Sequence, residues 1–178
     1  MIVVIGGTPG SGKTTAAEML AREHGLALIS SGQMFREEAV RRGMTLSEFG
    51  KYAQKHHEVD RELDRRMTSF ILEQAKAGDL IVDSRLQAYL LKQEGVEFFA
   101  SHIDAPLRVR AQRVAGREAK SIDQALMEIQ ERERSETSRY RTIYHIDIGD
   151  LRVYDLVIDS SDKSAEQVAS LIWSKVPR

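Results

Sequence analysis

The sequence predicts a three-layer α/β fold built on a five-stranded parallel sheet. Two observations predict it. Five short apolar runs recur along the 178 residues, separated by longer charged stretches of helical character, and the first run leads directly into a glycine-rich loop. Apolar runs that alternate with helices inside a chain belong to a parallel sheet covered on both faces.

The elements follow in order. Strands are expected over 2–5, 27–30, 80–83, 98–103 and 156–159. The first helix, 14–23, leaves the glycine-rich loop and ends near Gly25, as left-handed C-terminal glycines do. A helix over 31–42 stops at Gly43, and Thr45-Leu46-Ser47-Glu48 has the form of a capping box that opens another. A long charged helix over 59–77 stops at Gly78. Pro106 suits the first turn of a helix over 107–117. Helices over 121–140 and 164–175 complete the set, with Ser161 or Asp162 as candidate cap of the last. No linker or internal repeat interrupts the chain, so 1–178 reads as one domain. It carries a helical excursion over about 31–67 and a short lid over about 113–122.

Composition excludes several classes. The formal net charge is −1, so no strong overall field favours nucleic acid or an anionic membrane. Cysteine is absent, which removes disulfides, thiolate metal sites and thiol nucleophiles. The N-terminal apolar run is too short for a signal sequence, and no stretch approaches the ~20 apolar residues of a membrane span. A cytoplasmic protein with no membrane or nucleic-acid partner is expected, as monomer or dimer.

Residues 7–14 read Gly-Thr-Pro-Gly-Ser-Gly-Lys-Thr, the G-x-x-x-x-G-K-[ST] phosphate loop between a strand and a helix. Glycines there let backbone N–H groups turn inward around phosphate oxygens, and the helix N-terminus adds its positive dipole end. The expected ATP site comprises Gly7, Thr8, Pro9, Gly10, Ser11, Gly12, Lys13, Thr14 and Thr15. Lys13 reaches the β- and γ-phosphates in this reading, and the Thr14 hydroxyl holds Mg²⁺. Asp83, ending an apolar strand, is the expected second Mg²⁺ partner; the competing reading is a helix cap. Arginines supply the charge that phosphoryl transfer needs on donor and acceptor. Arg36 and Arg85, each just past a strand end, favour that role. Arg134 reads as a solvated helix charge. His56 and His57 are adjacent, share no helix face, and read as exposed rather than as a metal pair.

Further segments carry a resemblance. Ser31-Gly32-Gln33-Met34-Phe35-Arg36 resembles the acceptor-binding helix of nucleoside monophosphate kinases. Thr45–Gly50, Asp60-Arg61-Glu62-Leu63-Asp64, and the tail from Arg132-Glu133-Arg134-Ser135-Glu136 through Arg139-Tyr140 to Tyr154-Asp155-Leu156-Val157-Ile158 resemble the archaeal-type cytidylate kinases. The resemblance implies a nucleoside-monophosphate-kinase-like P-loop NTPase fold, ATP with Mg²⁺ as donor, and CMP or dCMP as acceptor. It implies that Ser31, Gly32, Arg36, Arg85 and Arg139 hold the acceptor, the three arginines at its phosphate. Glu136 would stand near its ribose. Lys13, Arg85 and Arg132 would act on the transferring phosphoryl group, and Arg113 and Arg117 would close over the ATP phosphates. One segment departs from the family: Asp83-Ser84-Arg85-Leu86-Gln87-Ala88-Tyr89 stands where a Glu-Gly-Arg-Leu-Ala-Gly-Trp-like stretch is usual, beside the acceptor base. The residues by themselves leave open another monophosphate or a small metabolite as acceptor, or an ATPase that acts as a switch.

Overall fold

The computed structural model describes residues 1–177. Its five strands are β1 (Ile2–Gly7), β2 (Ala27–Ser30), β3 (Leu80–Asp83), β4 (Phe99–Asp104) and β5 (Leu156–Asp159), all parallel, in the order β2-β3-β1-β4-β5. The central strand β1 explains why the sheet is buried on both faces. Val3 and Ile5 pack with Ile81, Leu20 and Ile172 on one side. Ile2 and Val4 pack with Leu80, Val82, Met67, Ile71 and Leu91 on the other. Successive side chains of a strand point to opposite faces, so both need apolar residues and the strand reads as a continuous apolar run.

The first face is covered by α1 (Lys13–His24) and α8 (Ala165–Lys175). The second is covered by the C-terminal half of α4 (His57–Ala75) and by α5 (Gln87–Gln93). Two helices, α2 (Ser31–Arg41) and α3 (Leu46–Lys55), precede α4 and with its first turns build a small separate core from Ala39, Phe49 and Val59, with Phe35, Tyr52 and Leu63 against it. Helices α6 (Leu107–Glu118) and α7 (Ile122–Tyr144) form an antiparallel pair joined at Ala119, which adopts a left-handed conformation. The stretch expected to form a lid is this corner.

The structure corrects the sequence reading in four places. Helix α5 was not expected; it has seven residues and four of them are buried, so no amphipathic period marks it. Helix α4 starts at His57, because a single non-helical residue, His56, separates it from α3. Helix α7 continues to Tyr144 and ends with His145 in the left-handed region. The cap of α8 is Ser164, which forms a capping box with Gln167, rather than Ser161 or Asp162.

Leu20 is fully buried between α1 and the sheet. Leu20→Ala is expected to cost about 2–5 kcal/mol through lost burial and the cavity left behind. Urea unfolding followed by circular dichroism measures it, and a loss below about 1 kcal/mol would contradict the tight packing of this face.

Candidate active site

All the polar residues flagged at strand ends lie at the carboxyl edge of the sheet, where open α/β sheets bind ligands. The loop after β1 is shaped there by its backbone. Gly10 and Gly12 have φ of 81° and 94°, values that L side chains rarely adopt. A Cβ on Gly10 would come within 3.0 Å of Arg110 on α6. The N-cap of α1 is Gly12, and no side chain caps the helix. The first N–H groups of α1 are therefore left for an anion, with Lys13 beside them and no acidic residue in the first turn.

Asp83 is the hub of this edge. It is 2% exposed and accepts from Lys13 Nζ at 3.0 Å, from Thr14 Oγ1 at 2.8 Å and from Ser30 Oγ at 3.1 Å. Asp83 does not cap the next helix: the N-cap of α5 is Leu86, with no side-chain cap, and it is Ser84 Oγ that accepts from the N–H groups of Leu86 and Gln87. A carboxylate and a hydroxyl in contact form a hard-oxygen donor set that suits Mg²⁺. Among the described residues no group of three or more His, Asp or Glu could cage a metal.

Opposite the loop lies a cluster of arginines and carboxylates. Arg85, at the end of β3, pairs with Glu136 of α7, and Arg132 Nε donates to the other Glu136 oxygen at 2.7 Å. Arg132 itself is about half exposed. Arg36 on α2 lies over Gly32 and has no carboxylate within salt-bridge distance among the described residues. Arg139 turns toward α4 instead: its Nε stands 3.3 Å from Asp60 Oδ2, and its guanidinium lies over the Phe35 ring at 5.8 Å. Neither Arg139 Nε nor Asp60 Oδ2 has a hydrogen-bond partner with acceptable geometry, and both are buried. Asp64, one turn along α4, accepts from Tyr144 at 2.6 Å. The structure thus brings Lys13, Thr14 and Asp83 together on one side, and Arg85, Arg132, Glu136 and Arg139 on the other. Ser31, whose hydroxyl donates to the Asp83 carbonyl, lies between them.

Two arginines are engaged otherwise than the lid reading expected. Arg113 donates to the carbonyls of Ser11 and Ser160 and to the Ser160 hydroxyl, so it ties the phosphate loop to the end of β5. Arg117 is exposed and pairs with the adjacent Glu118. In the altered segment after β3, Tyr89 donates to the carbonyls of Ile148 and Asp150 and holds that turn. Gln87 is fully buried and accepts from Thr68, with its amide nitrogen unpartnered. Sequence reasoning passed over Arg110, and it quoted Asp60, Asp64 and the tail containing Tyr144 only for the resemblance, with no site role. Only the i, i+4 spacing of Asp60 and Asp64 offered a signal, since it puts two carboxylates on one helix face.

His56 stacks on Tyr52 at 4.1 Å, and its Nδ1 lies 3.1 Å from Glu58 Oε1. Among the described residues no helix is long and apolar enough to cross a membrane.

Comparison with known proteins shows the family. The sequence model of the cytidylate kinase-like family matches residues 2–162. A cytidylate kinase of Methanocaldococcus jannaschii is 44% identical over 177 residues, covering 99% of this chain and 97% of the relative. One from Pyrococcus horikoshii is 41% identical over 176 residues, covering 99% and 88%. Among solved structures, an uncharacterized protein from Eubacterium ventriosum superposes with a TM-score of 0.73 at 19% identity, covering 98% of this chain and 96% of that one. A shikimate kinase from Bacteroides thetaiotaomicron does so at 0.58 and 12%, covering 98% and 95%. These two likenesses concern the fold.

The carboxylates of α4 and α7 titrate in opposite senses. Burial pushes Glu136 up, but Arg132, Arg85 and Arg139 outweigh it and hold it at about 2. Its contribution to stability is present above its ordinary value and lost as pH falls toward 2. Burial raises Asp64 to about 7, Asp60 adding to the rise and Tyr144 opposing it. The folded chain keeps this proton after the unfolded chain has released it, so stability falls as pH rises from about 4 to about 7. Asp64→Asn, which can still accept from Tyr144, is expected to remove that decline. Urea midpoints at several pH values test this, and parallel profiles for the two proteins would refute it.

Proposed function

The chain belongs to the cytidylate kinase-like family, and from that premise we propose that it transfers the γ-phosphoryl group of ATP to CMP or dCMP, giving ADP and CDP or dCDP. The observation that carries the reading is the presence of two charge clusters at one edge of the sheet, joined through Asp83-Ser84-Arg85: Lys13, Thr14 and Asp83 on the donor side, Arg85, Arg132 and Glu136 on the acceptor side.

The acceptor phosphate oxygen is already anionic, so no general base is needed. Catalysis then consists of alignment and charge neutralisation. Lys13 would leave Asp83 for the β- and γ-phosphates, while the N–H groups of the loop and of the first turn of α1 take the remaining oxygens. Thr14 and Asp83 would hold Mg²⁺, which supplies charge neutralisation between the donor phosphates. Arg36 and Arg85 would bind the acceptor phosphate, Arg85 exchanging Glu136 for it in part, and the half-exposed Arg132 would reach the group in transit. Glu136, freed from one arginine, would accept from a ribose hydroxyl. Closure of 31–67 would exclude water, which otherwise diverts the phosphoryl group to hydrolysis. The nucleotides involved make the cytoplasm the proposed compartment.

Asp60 and Arg139 favour cytosine. They set a buried acceptor beside a buried donor, 3.3 Å apart as an ion pair without a well-aligned hydrogen bond between them. Cytosine presents the complement, an exocyclic amine that donates beside a ring nitrogen and a carbonyl that accept. Uracil reverses the first two and would leave both protein groups unsatisfied, at about 1–3 kcal/mol each. On this proposal Arg139 serves the base, where the resemblance implied the acceptor phosphate.

ADP formation with ATP, Mg²⁺ and a panel of AMP, CMP, dCMP, UMP, GMP or no acceptor tests the reading. Rapid turnover with CMP or dCMP alone is expected, and slow acceptor-independent hydrolysis would replace it with an ATPase switch. Lys13→Ala is expected to lower kcat by roughly 10³-fold or more without changing the fold, as seen by circular dichroism. Asp60→Asn is expected to lower the preference for CMP over UMP in kcat/KM by about tenfold or more, and an unchanged ratio would remove Asp60 from base selection.

A further inference from the structure

Arg110 is 7% exposed and has no place in the phosphate-binding sets described above. It lies under the phosphate loop, where its Nε donates to Ala105 O at 2.8 Å and its Nη1 donates to Pro9 O at 3.0 Å and to Glu133 Oε1 at 2.7 Å. Its own backbone packs against Gly10. One guanidinium therefore joins two bodies, the loop that would hold the donor phosphates and the helix that carries Arg132 and Glu136.

Helix α7 is well placed to use that link. Within the span 132–136, Arg132 bonds Glu136, Glu133 bonds Arg110, Ser135 accepts from Gln54 of α3 at 2.8 Å, and Glu136 pairs with Arg85. A rotation or slide of this turn would move Arg132 and Glu136 together relative to the loop. Glu133 is three-quarters buried, so its bond to Arg110 is partly shielded from water and stronger than a surface pair.

We propose that Arg110 is a positioning residue: through Glu133 it fixes α7 against the phosphate loop and so sets where Arg132 stands relative to the phosphoryl group in transit. This rests on the phosphoryl-transfer reading but not on which monophosphate accepts. Misplacement of a catalytic group by about 1 Å can cost roughly 10²-fold in rate, so the link acts on the rate of the chemical step rather than on ground-state binding.

Glu133→Ala is the informative variant. It removes the link yet leaves Arg110 both carbonyl acceptors, so the loop keeps its support. It is expected to lower kcat by about tenfold or more with both KM values within about threefold. Glu133→Gln, which can still accept from Arg110, is expected to recover most of the loss. In an Arg132→Ala background, Glu133→Ala is expected to cost less than about twofold further, because the group it positions is gone. Undiminished kcat in Glu133→Ala, or an equal loss in both backgrounds, would overturn the proposal. Hydrogen exchange provides a readout independent of turnover: ATP with Mg²⁺ should slow exchange in both the phosphate loop and 130–137 of the parent protein, but only in the loop of Glu133→Ala. Equal protection of 130–137 in both proteins would also overturn the link. A parent protein that turns over no monophosphate would instead refute the proposed reaction, leaving the exchange measurement to judge the link.

Discussion

The contact of Asp83 with Lys13, Thr14 and Ser30 is the constraint on which the functional edge of the sheet depends. It joins the end of β3, the first turn of α1 and the end of β2 through one buried carboxylate. A buried carboxylate is costly unless its lone pairs are met, and here a cation and two hydroxyls meet them. In the free protein the Lys13 ammonium thus has a defined resting partner. A nucleotide would exchange one anion for another, so the site would be assembled before its ligand arrives.

The same logic governs the arginines. Arg85 and Arg132 share Glu136, and Arg139 faces Asp60, so the positive charge needed for phosphate and base is stored against carboxylates. The strength of this arrangement is visible in Glu136, which stays low in spite of burial because three arginines face it. Such pairs add little to stability compared with an apolar packing of the same volume. Their value here lies in holding long side chains in position before substrate binds.

How much of this was legible in the sequence depended on distance along the chain. The phosphate loop is a contiguous octapeptide, and β2, β3 and β5 fall where their apolar runs place them; β3 is buried throughout, whereas the edge strands β2 and β5 are partly exposed and were legible from their apolar residues alone. Helix α5 was hidden, since a short helix buried on most of its surface has no polar face to set its period. The partners of the arginines were invisible because they are chosen through space. Arg85 and Glu136 are 51 residues apart, and Arg110 and Pro9 are 101 apart. Arg132 pairs with Glu136, four residues after it, while Glu128, four residues before it, pairs with Lys120.

The small core of Phe49, Ala39 and Val59 is separate from the two cores that flank the sheet. The consequence is evolutionary as much as mechanical. A stretch that packs mainly on itself can drift in shape without eroding the sheet, so this minor part of the molecule is free to diversify while the phosphate-loop edge stays fixed. One scaffold could in this way be re-addressed to new acceptors by changes confined to a few dozen neighbouring residues.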